Sequence, residues 1–242
     1  MSGIWGKIIG GVGGFALGGP LGALVGAVAG HAVDRLRSDD GAGDQVRQTA
    51  FTVAVIALSA KMAKADGKVT RDEIDAFREV FHVPPAEVKN VGRIFDMARK
   101  DSSGFEPYAR QVGRMFASTP AVLEELLDAL FHIAKADKVM HPDELAYLRS
   151  VAEIFNFNQA EFDRIRAGHL GADAADPYTV LGVAHNADDS EIRTAWRKLI
   201  RENHPDSLIA QGMPQDFIDV ANDKMAAING AWDAIQRQRG LK

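Results

Sequence analysis

A chain of 242 residues, 46% hydrophobic and 25% charged, has the balance of a folded protein, with room for one large domain or two small ones. With no cysteine it excludes disulfides, thiolate metal sites and a cysteine nucleophile. The net charge of −5 divides as 0 over residues 1–40 (three basic, three acidic), −3 over 41–175 (17 and 20) and −2 over 176–242 (8 and 10). No segment carries the basic excess with which nucleic-acid binders neutralise phosphates, so nucleic acid is not expected as a partner.

Nine of the 23 glycines fall between Ile8 and Val33, a 26-residue stretch without Asp, Glu, Lys or Arg. As one helix it would reach about 39 Å at 1.5 Å per residue, enough to cross a hydrocarbon core of about 30 Å with some tilt. Glycines recur every fourth residue, and Gly10, Gly14, Gly18, Gly22 and Gly26 would line one helix face. Such a groove lets two helices approach closely in lipid, which predicts a single-pass anchor and a homodimer. In water the same glycines would cost about 1 kcal/mol each relative to alanine. Two other readings of the segment stay open: a cleaved signal peptide, given Ala27-Val28-Ala29, and a peripheral glycine-rich tail. Arg35, Arg37 and Arg47 follow the span while only Lys7 and the terminal amine precede it, so the N-terminus is expected outside and the remainder in the cytoplasm.

After a tether, Asp39 to Gly43, helical periodicity begins: Phe51, Val55, Leu58 and Met62 form one stripe. Further helices are expected at about 71–81, 86–100, 105–117, 120–136, 142–155 and 159–167, several opened by proline, as at Pro120 and Pro142. No stretch alternates as a strand would, and the region reads as all-α. Ala63-Lys64-Ala65-Asp66 followed by Asp72-Glu73 returns, 71 residues on, as Ala134-Lys135-Ala136-Asp137 followed by Asp143-Glu144, a duplicated helical unit. The acids lack the spacing of an EF-hand loop. Thr70-x-x-Glu73 is a capping box and Pro142-Asp143-Glu144 an acidic first turn, so capping is the preferred reading and no metal is expected. Were a hard cation bound, Asp66, Glu73, Asp137 and Glu144 would be its ligands. Duplicated A-K-A-D-G-K-like turns in a helical domain of this size resemble the TerB-type domain.

Beyond a small-residue linker at 169–175 comes Asp176-Pro177-Tyr178-Thr179-Val180-Leu181-Gly182-Val183. Asp188-x-x-Glu191 then opens a helix with one apolar face (Ile192, Ala195, Trp196, Leu199, Ile200) and one basic face (Arg193, Arg197, Lys198, Arg201). That helix ends at His204-Pro205-Asp206, and a last helix starts near Phe217. Together these elements resemble a J domain, the module of DnaJ-like co-chaperones. The resemblance implies that His204, Pro205 and Asp206 stimulate ATP hydrolysis by a DnaK-type chaperone. It also implies that Arg193, Arg197, Lys198 and Arg201 dock on that partner and that Tyr178, Leu181, Trp196, Leu199 and Ile228 are core. Trp232 stands where the family usually has tyrosine, and Ser207 where lysine is common.

With the opening Ile4-Trp5-Gly6-Lys7-Ile8-Ile9-Gly10 and the tail Trp232 to Gly240, the whole chain resembles the DjlA family of membrane-anchored bacterial co-chaperones, with a shorter linker before the J domain than relatives can carry. The resemblance implies an inner-membrane anchor (1–40), a TerB-like domain (41–168) and a cytoplasmic J domain (176–242) serving unfolded or membrane-associated clients. No phosphate-binding loop and no nucleophile-base pair is evident, so neither enzymatic activity nor a cofactor is expected. The alternative function is a metal-binding or stress-sensing middle domain with the J domain as its output.

Overall fold

The computed structural model describes residues 18–29, 42–65, 77, 83–85, 88–101, 104–136, 140–170 and 175–241. Among them every regular element is helical. The first, α1 (Gly19–Ala29), covers part of the span expected from Ile8 to Val33, of which residues 8–17 and 30–33 lie outside the described residues. Gly18 and Gly19 take φ of +54° and +56°, left-handed values that only glycine adopts without strain, and Pro20 follows in the first turn. No described helix is long and apolar enough to cross a membrane.

The centre is α2 (Ala42–Ala65), in which every residue from Thr49 to Ala63 is buried. The stripe Phe51, Val55, Leu58 and Met62 is thus one side of a helix enclosed all round, as continuous small and apolar composition requires. Of its buried polar side chains, Thr52 Oγ1 donates to the Gln48 carbonyl at 3.0 Å, while the Ser59 hydroxyl has no hydrogen-bond partner among the described residues. Lys61 Nζ donates to the Asp101 carbonyl at 3.0 Å and pairs with the Asp101 carboxylate at 3.2 Å. Around α2 pack α3 (Val88–Lys100), α4 (Glu106–Met115), α5 (Pro120–Ala134) and α6 (Pro142–Ile154), followed by α7 (Gln159–Gly168).

Helix α1 lies on α2, α3 and α4 with Leu21, Leu24 and Val25 buried. Gln111 on α4 fastens its start: the Leu21 amide donates to Oε1 at 3.0 Å, and Nε2 donates to the Gly18 carbonyl at 2.9 Å. Of the expected glycine stripe, Gly22 is buried here, Gly18 and Gly26 are exposed, and Gly10 and Gly14 lie outside the described residues.

The helix starts follow the capping chemistry. At α6 the His141 amide donates to Glu144 Oε2 at 2.8 Å and the Asp143 amide donates to His141 Nδ1, so Glu144 is used as a cap. Asp66, Glu73 and Asp137 lie outside the described residues. Among those described, no group of three or more His, Asp or Glu side chains is disposed to hold a metal ion.

The carboxy-terminal part consists of α8 (Pro177–Leu181), α9 (Asp189–Glu202), α10 (Pro205–Ala210), a 3-10 turn (Gln215–Phe217) and the long α11 (Ile218–Arg239). Among the described residues two apolar cores result. The second, smaller one gathers Tyr178, Leu181, Ile192, Leu199, Ile228, Trp232 and Ile235 between α8, α9 and α11. The first spans α1 to α7 and also takes in Leu208, Met213, Phe217, Val220 and Ala221 from the segment following α9.

Candidate functional site

Asp188 closes a full capping box at the start of α9, its Oδ1 accepting the Glu191 amide at 2.8 Å while Glu191 Oε2 accepts the Asp188 amide at 2.9 Å. From there Ile192 and Leu199 turn into the smaller core, and Arg197, Lys198 and Arg201 stand exposed on the opposite side. Arg193 is half-buried with its guanidinium 5.8 Å from the centre of the Trp232 ring. It shares the basic helix but not the openness of the other three. Trp232 is itself buried, stacked on Trp196 at 4.9 Å and 10°, while Trp196 Nε1 donates to Asn229 Oδ1 at 3.1 Å. The aromatic that replaces tyrosine therefore acts inside the hairpin, and any contact that a surface hydroxyl would make is absent.

His204, Pro205 and Asp206 form the corner between α9 and α10. His204 is the N-cap of α10 (φ −64°, ψ 130°), and its Nδ1 accepts the Asp206 amide at 3.2 Å. Used as an acceptor, Nδ1 leaves Nε2 as the protonated nitrogen of the neutral ring. Pro205 occupies the first helical position, where its missing N–H is not needed, and is buried. The side chains of His204 and Asp206 are 52% and 89% exposed. A rigid corner thus presents an imidazole and a carboxylate to solvent beside the cations of α9. Between that face and the helical domain runs a cleft of about 610 Å³, with Lys198, Arg201 and Ser207 on one side and Phe157, Asn158 and Glu161 on the other.

Several residues that hold this site were not singled out from the sequence. Arg239, near the end of α11, donates to Tyr178 Oη at 2.9 Å, to the Ala187 and His185 carbonyls at 2.8 and 2.7 Å, and to Asp189 at 2.9 Å. It ties the last helix to the first turn of the hairpin. Lys224, also on α11, leaves the hairpin altogether and enters a nest of acids on α5: Glu124, Glu125 at 3.0 Å and Asp128 at 2.8 Å. From α7, Arg164 pairs with Glu124, and His169, the residue capping that helix, meets Asp128 at 2.6 Å. Against burial that would raise them, Lys224 and Arg164 hold Glu124 low, and Lys224 and His169 hold Asp128 low. Three acids inside so apolar a helix as Val122 to Ala134 were the available signal.

A basic helix, an exposed His-Pro-Asp corner and a long return helix packed on it define a J domain, the module that co-chaperones present to their ATPase partners. Comparison with known proteins agrees along the chain: residues 1–49 match the co-chaperone DjlA transmembrane domain, 52–167 the tellurite resistance protein TerB, and 176–239 the DnaJ domain. The co-chaperone protein DjlA of Photobacterium profundum is 29% identical over 99% of this chain and 100% of its own length. Those of Escherichia coli K12 and Yersinia pestis are 26% and 27% identical over 98% of this chain and 99% of theirs. No solved structure matches. Along its whole length the chain is thus similar to the DjlA co-chaperones, with the DjlA transmembrane, TerB and DnaJ domains matched in that order.

Proposed function

We propose that the protein is anchored in the bacterial inner membrane by its first 40 residues and uses its J domain to bind a DnaK-type chaperone, stimulate its ATP hydrolysis and bring it to unfolded or membrane-associated clients. The observation that carries this reading is the exposed His204-Pro205-Asp206 corner flanked by Arg197, Lys198 and Arg201. The cations steer an acidic partner surface onto the corner. The corner then acts by favouring one state of the partner over another, since a ligand shifts an equilibrium only through differential binding. The hydrolytic chemistry belongs to the partner; this chain supplies position and charge.

The topology proposed is an N-terminus in the periplasm and a C-terminus in the cytoplasm, supported by Arg35 and Arg37 after the apolar stretch. Self-association through the four-residue glycine spacing is part of the same reading, and Gly10→Leu with Gly14→Leu should weaken it. A vesicle flotation assay tests the whole. With the full chain reconstituted, an ATP-loaded DnaK-type chaperone should float with the vesicles, and Arg201→Glu or Asp206→Asn should leave it in the soluble fraction. Equal flotation with those variants would refute the assignment of the docking face.

A further inference from the structure

The segment that follows the tripeptide is built into the other domain. After α10 the chain turns at Gly212 (φ +105°) into the 3-10 turn, and Leu208, Met213 and Phe217 are no more than 1% exposed. These side chains join the core of the helical domain, not the core of the hairpin. Phe217 meets Phe51 of α2 edge-on at 4.7 Å, and Phe51 in turn meets Phe116 edge-on at 6.2 Å. A Cβ on Gly212 would fall 3.1 Å from Arg47 Cβ, so the backbone itself is seated against the helical domain. Two turns along α11, Lys224 fills the acidic nest of Glu124, Glu125 and Asp128, and it is 9% exposed in doing so.

This docking covers what lies behind the tripeptide and leaves its front open, as the exposure of His204 and Asp206 shows. Contact that hid those side chains would be inhibitory; contact that fixes their backbone does something else. We propose that the helical domain is a working part of the chaperone-docking site. Phe51, Phe217, Lys224 and the acids of α5 are positioning residues that hold the His204-Pro205-Asp206 corner in its binding geometry. The proposal rests on the co-chaperone reading and deepens it. A corner held in advance avoids the ordering cost that a free loop bears on association, so the gain appears as affinity for the partner.

The test uses the full chain with Phe217→Ser, Phe217→Leu and Lys224→Gln. Two readouts are taken: amide exchange over residues 205–217, and the concentration of chain that gives half-maximal stimulation of a DnaK-type ATPase. Expected for Phe217→Ser and Lys224→Gln is fast exchange confined to that segment, with α9 still protected, and a half-saturating concentration raised roughly tenfold at unchanged maximal stimulation. Phe217→Leu should restore most of both. If Phe217→Ser unfolds the chain throughout, Lys224→Gln carries the test. Released exchange with unchanged half-saturation would overturn the proposal, and so would stronger stimulation, which would identify the contact as inhibitory. Fast exchange of 205–217 in the wild type would also overturn it. A wild-type chain with a protected segment and no stimulation would instead overturn the co-chaperone reading, and this role with it.

Discussion

Burial, opposed by Lys224 and reinforced by Asp128 and Glu124, pushes the Glu125 carboxyl up to about 7. A carboxyl raised above its unfolded value of 4.5 contributes stability that is complete below that value and lost as pH rises through about 7. Glu124 and Asp128, both held low, contribute in the opposite sense and lose their share as the medium turns acid. The whole chain is therefore expected to resist denaturant better at pH 6 than at pH 8, with Lys224, Arg164 and His169 also facing the acids. The urea midpoint of the full chain should fall between those two values, and Glu125→Gln should remove most of the difference. Equal midpoints of the wild type at both would rule the mechanism out. Asp206 offers the contrasting case. Its side chain is 89% exposed, so Asp206→Asn should change stability by no more than about 0.5 kcal/mol while stimulation of the partner ATPase is lost.

At the scale of elements, helix starts carried their own signatures and could be read from sequence. Asp188-x-x-Glu191 and Pro142-Asp143-Glu144 announce α9 and α6 because a cap needs a side chain at a fixed offset and nothing distant. The same chemistry makes Asn158 a test: its Oδ1 accepts the Glu161 amide at 3.0 Å at the start of α7, and Asn158→Ala should cost about 1 kcal/mol in a thermal melt. The turn at Gly212 was not legible. Nothing local distinguishes that glycine from those of the amino-terminal stretch, and only the approach of Arg47 and Phe116 from another domain makes it necessary. Gly212→Ala adds a strained φ to that contact and should cost about 1–3 kcal/mol, with faster exchange at 205–217. Unaltered exchange would show that the turn can relax without loosening the contact. Similarly, α2 was read as one stripe because an apolar, small-residue helix has no polar side from which to infer that all its faces are covered.

For the molecule as a whole, the all-helical character and the His204-Pro205-Asp206 corner proposed for docking were visible in sequence because each is encoded by contiguous residues. The joining of the J domain to the helical domain was not, because it depends on Phe217 reaching Phe51 and Lys224 reaching Glu124, Glu125 and Asp128 across long separations in the chain. The short linker at 169–175 hinted at restricted reach, and the structure adds a packed interface in which Leu208, Met213 and Phe217 extend the core of the helical domain and Lys224 meets buried acids. The amino-terminal segment differs as well: part of the expected span, Leu21 to Val25, is buried on α2, α3 and α4. The most direct measurement is single-turnover ATP hydrolysis by a DnaK-type chaperone with the full chain and with its His204→Gln variant. Accelerated hydrolysis with the wild type and none with the variant is the expected result. Acceleration that survives His204→Gln, or a folded wild type that gives none, would contradict the assignment of this corner as the site that acts on the partner.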